Sequence, residues 1–146
     1  MSHLLLVTLH LLAAIAFAGS VFFEVFVLAA VGKSLGRKAM LPVEAQVARR
    51  LRHLMPFVLA VLYGAGIALA WSYRDLLAHP LESGFATLLT IKILLASSVL
   101  LHFITAVILG ARGRLTAFRV RVIHASVIAH LVLIVILAQA MFEVSW

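Results

Sequence analysis

Polar positions in this chain gather into three connections, and four long apolar runs lie between and beside them. The runs cover about residues 4–31, 54–71, 85–109 and 118–144. A helix needs about 20 apolar residues to cross a bilayer. The pattern therefore predicts an all-α integral membrane protein, a single transmembrane domain over residues 1–146. Short connections between spans favour an antiparallel four-helix bundle. Within the first connection, residues 42–54 read as an amphipathic surface helix with Pro42 in its first turn. Pro56 likewise falls in the first turn of the second run. The third connection, 110–117, reads as a tight basic turn, and no internal repeat stands out.

Composition strengthens the reading. Hydrophobic residues make up 65% of the chain and charged ones 12%, too few charges to coat a soluble domain of this size. The net charge of +7 would suit nucleic acid only on a soluble face, which the pattern does not provide, so no nucleic-acid partner is expected. Six Lys and Arg residues lie in the first connection (Lys33, Arg37, Lys38, Arg49, Arg50, Arg52) and four in or just after the third (Arg112, Arg114, Arg119, Arg121). The middle connection has only Arg74. Cytoplasmic loops hold the excess of basic residues. Both basic connections are thus expected in the cytoplasm and both termini outside, in a bacterial cytoplasmic membrane. Trp71, Tyr73 and Trp146 then fall at the outer interface. Residues 14–18 resemble a signal-peptide cleavage site, but no Lys or Arg precedes Lys33, so the segment is read as a retained first helix.

The exceptions to this segregation carry the candidate chemistry. His10, His102, His124 and His130 enter the runs, His53 sits at an edge, and Glu24 and Lys92 join them. Ionisable groups inside spans mark functional sites by default. Counting about 1.5 Å per residue puts His10 and Lys92 in an outer layer. Glu24, His102, His124 and His53 fall in an inner one, with His130 near the middle. Ser126, one turn before His130, is placed to hydrogen-bond beside it. The plainer use of a membrane histidine is a hydrogen bond to a neighbouring helix or a carbonyl. That use is expected of His3 and His79, which lie at an end and in a connection.

With no cysteine in the chain, imidazole is its main soft ligand. Haem b takes axial histidines between the helices of a bundle. Candidate cofactor-binding residues are His10, His53, His102, His124 and His130, with His102 and His124 as one inner ligand pair in which His53 could replace either. Arg52 and its basic neighbours stand at the rim for the propionates. Two-haem transmembrane cytochromes stack two histidines on one helix about four turns apart; no run here does so. Copper is the alternative, with His10, His102 and His124 as metal ligands and His53 with Met55 at the inner mouth. Lys92 and Glu24 are candidate catalytic groups in a proton or substrate relay. A third reading is a structural or assembly factor whose histidines only join helices.

Three motifs resemble a known family. They are His10 followed by Phe17 and Gly19, the Arg49-Arg50-Leu51-Arg52 lead of the second helix, and Lys92 followed ten residues later by His102. Together they are similar to the CopD/HemJ-like family of small bacterial membrane proteins, whose branches are copper-resistance D domains and protoporphyrinogen oxidases. The resemblance implies a four- or five-helix membrane fold. It implies haem b and redox work, with a quinone or porphyrinogen partner, in one branch and copper uptake or tolerance in the other. His10, Lys92 and His102 match positions of the oxidase branch. Where that branch has a Trp and an Arg after the first histidine, Phe17 and Glu24 stand near those places. Beyond the lipid bilayer, a homodimer is one expectation for assembly.

Overall fold

The computed structural model describes residues 2–143, so Trp146 and the last residue of the expected fourth run lie outside it. Among the described residues all regular structure is helical. We number the helices α1 (His3–Leu35), α2 (Arg37–Trp71), α3 (Arg74–Ala78), α4 (Gly84–Ala111) and α5 (Ala117–Glu143). All except α3 are long and apolar enough to cross a membrane. Leu12, Ile15, Phe57, Ile67, Leu94, Leu101, Val132 and Val135 point outward from the long helices. An outward face this apolar suits lipid and not water. The chain divides into two compact units, Met1–Ser72 and Tyr73–Trp146.

The first unit is a hairpin of α1 and α2. Ser2 caps α1, its hydroxyl accepting from the Leu5 N–H at 3.4 Å. Six residues of α1, Phe23–Leu28, form a π-helical turn. One residue, Gly36, separates the helices at φ +77° and ψ 155°, a conformation essentially reserved for glycine. Beside the turn the helices close on each other. Met40 is 2% exposed and its Cγ would lie 3.3 Å from a Cβ on Gly32. Farther along, Ala13, Phe17 and Val21 form the buried stripe of α1 and face a core drawn from Met55, Val58, Leu59 and Ala65 of α2.

Two sequence expectations are corrected here. Residues 42–54 do not form a separate surface helix, and neither proline lies in a first turn: α2 runs unbroken from Arg37 to Trp71 through Pro42 and Pro56. Each proline removes one N–H, leaving the carbonyl four residues earlier without its helical partner. Those carbonyls belong to Lys38 and Arg52, both exposed residues.

The second unit contains α3 and the hairpin of α4 and α5. Ser83 caps α4 by accepting from the Ala86 N–H at 3.2 Å, and the Thr87 hydroxyl donates to the Pro80 carbonyl at 2.7 Å. Tyr73, Phe85 and Phe142 pack ring to ring at this end. At the other end α4 closes with Gly113 at φ +65°. The Arg114 N–H donates to Leu109 O at 2.8 Å and the Gly113 N–H to Gly110 O at 3.1 Å, the paired bonds of a Schellman ending. The Thr116 hydroxyl then accepts from the Arg119 N–H at 3.3 Å to start α5. These caps fix the register between α4 and α5.

Candidate histidine site

That register brings His102 of α4 and His130 of α5 together, with ring centres 5.5 Å apart and planes inclined by 55°. The sequence paired His102 with His124. His124 lies six residues, about 9 Å, closer to the turn on α5. The level occupied by His102 is therefore that of His130.

The two imidazoles are held in the same way. His102 Nδ1 lies 2.7 Å from the Ser98 carbonyl, and His130 Nδ1 lies 2.7 Å from the Ser126 carbonyl. A carbonyl only accepts, so each ring donates its Nδ1–H, and the neutral ring keeps its lone pair on Nε2. Tautomer and orientation are both set by that second-nitrogen bond, as in metal-ligating histidines. Ser126, expected to hydrogen-bond beside His130, does so through its backbone carbonyl. In both helices a serine stands one turn before the histidine, and its short side chain lets the ring lie back along the helix. Both histidines are half-buried. Two imidazoles on one ion, with metal–nitrogen bonds of about 2.0–2.1 Å, place their ring centres roughly 5–6 Å apart. The observed separation lies in that range.

His10, in the other unit, is used differently. Its Nδ1–H reaches across the hairpin to the Leu62 carbonyl on α2 at 2.9 Å. A Cβ on Gly66 would lie 3.0 Å from His10 Cε1 and 3.2 Å from Nδ1. Gly66 thus makes room for the ring, and Leu62, one turn earlier, receives its proton. A glycine facing a histidine on the neighbouring helix was the overlooked signal.

The remaining candidates are spread out. Glu24 is half-buried in the π-helical turn, and Lys92 is half-buried on α4 ten residues, about 15 Å, before His102. His124 is half-buried on α5. His53 is exposed on α2 with Gln46, Arg49 and Arg50 around it, and Arg52 is exposed on another side of the same helix. Among the described residues no three His, Asp or Glu side chains converge as a metal-binding group. Comparison with known proteins found no matching family model, no similar curated protein and no similar solved structure.

Proposed function

We propose that this chain is a haem-b-binding membrane protein with a redox or electron-transfer role in the bacterial cytoplasmic membrane. Its spans form an antiparallel four-helix bundle with the basic connections in the cytoplasm. The observation that carries the reading is the pair His102 and His130, each with Nδ1–H committed to a carbonyl and Nε2 left as the ligating nitrogen, in an apolar hairpin. Helices packed at about 8–10 Å leave no space for a macrocycle between them. The residues therefore fit a haem taken by one imidazole on a face of the hairpin, not one sandwiched by both. Bound there, haem b supplies one-electron chemistry. The CopD/HemJ-like resemblance supports the same reading, with a quinone or porphyrinogen as the redox partner.

A second reading, copper transport or tolerance, is favoured by one observation: the 5.5 Å ring separation suits a single ion shared by both imidazoles. One preparation separates the two. The full chain, expressed with ample haem and purified in detergent, is expected to show a Soret band that one of the two variants, His102→Ala and His130→Ala, abolishes and the other leaves. No Soret band, together with one copper per chain lost in either variant, transfers the proposal to copper. Neither signal sinks both and leaves helix joining as the role of the histidines.

A further inference from the structure

We propose that the α1–α2 hairpin carries a binding site for an anionic phospholipid, with Arg49 and Arg50 on the headgroup and an acyl chain in an apolar groove. The groove holds about 400 Å³ and is lined by Ile15, Ala16, Gly19 and Phe23 of α1 with Val47 and Leu51 of α2. That volume falls within the range of about 300–1,000 Å³ seen for ligand clefts. Ser20 is also in its wall, and its hydroxyl is satisfied within the helix, donating to the Ala16 carbonyl at 2.8 Å. Arg50 closes one end of the groove and at the same time lines a polar recess with Gln46, Arg49 and His53. Arg49 is oriented there by its hydrogen bond to the Gln46 side chain.

Helical phase accounts for the arrangement. Gln46, Arg49, Arg50 and His53 recur at three- and four-residue spacing and share one stripe of α2, while Val47 and Leu51 lie beside Arg50 on the groove side. Arg52 points roughly 160° away from Arg50 at 100° per residue. Depth agrees. Counting about 20 residues for a hydrocarbon core of about 30 Å from the open end of the hairpin puts the inner boundary near residue 23 of α1 and 52 of α2. The arginines then stand at headgroup level, and the groove runs from them into the core. A chain-plus-anion occupant matches both halves of the site, since basic pockets between spans take acidic headgroups. Nothing in this assignment depends on haem or copper.

Gly19 supplies the discriminating variant. A Cβ there meets nothing within 4 Å, so Gly19→Leu sends a larger apolar side chain from the groove wall, leaves every charge in place and improves helix propensity. Native mass spectrometry of the full chain in detergent, titrated with phosphatidylglycerol or phosphatidylcholine, reads the occupancy. Phosphatidylglycerol is expected to bind at least tenfold more tightly than phosphatidylcholine. Arg49→Gln/Arg50→Gln should weaken it about 25-fold, at roughly fivefold per basic residue. Gly19→Leu should weaken it several-fold, and Arg52→Gln by less than twofold. Equal binding of the two lipids, full binding by Gly19→Leu, or an equal loss in Arg52→Gln each overturns the proposal. So does displacement of the lipid by millimolar inorganic phosphate, which would mark a site for the free anion.

Discussion

The two hairpins use the same side chain for opposite ends. In the first, His10 spends its Nδ1–H on a carbonyl of the neighbouring helix, and a glycine on that helix makes way for it. In the second, His102 and His130 each donate to their own helix and meet across the hairpin with their ring planes inclined by 55°. A bond between helices contributes to holding them together. A bond within one helix adds little to that and instead aims the ring. The residue type alone therefore does not tell whether a membrane histidine bonds to a neighbouring helix or aims its ring from its own; the address of its Nδ1 partner does.

The sharpest way to break this contrast is Gly66→Val. Its side chain must occupy the space of the His10 ring, and overpacking of this kind costs about 1–3 kcal/mol, read as a lower thermal midpoint in detergent. A midpoint equal to wild type would mean that His10 does not need the gap. His10→Ala should cost less, about 0.6–1.7 kcal/mol, the range of interhelical hydrogen bonds in membranes. His102→Ala and His130→Ala should each cost less again in the same assay, because their bonds cross no helix boundary. The smallest effect is expected of Ser126→Ala. His130 is bonded to the backbone there, so stability should stay within about 0.5 kcal/mol and any ligand signal should persist. Loss of that signal would mean that the Ser126 hydroxyl, and not its carbonyl alone, positions the ring.

Much of the fold was legible, because lipid imposes a length and an apolarity that show directly in residue order. Four runs, 4–31, 54–71, 85–109 and 118–144, each fall within one long helix or nearly so. The continuity of α2 was not legible, since Pro42 and Pro56 read as helix starts. Only the structure shows that the helix continues through both, at the loss of one backbone hydrogen bond each. The candidate site was half legible. Residue type and apolar context identified the histidines. Depth counted from the run ends paired His102 with His124, whereas the Schellman ending at Gly113 and the Thr116 cap decide the register and bring His130 alongside. Small offsets at a turn are invisible to hydropathy, yet they choose which side chains face each other.

Gly36 bears on how the chain is made as well as how it packs. With a single residue between α1 and α2, there is no loop for a protease to cut or for a tag to enter without breaking a helix. The first half of the protein is in effect one rod folded over on itself.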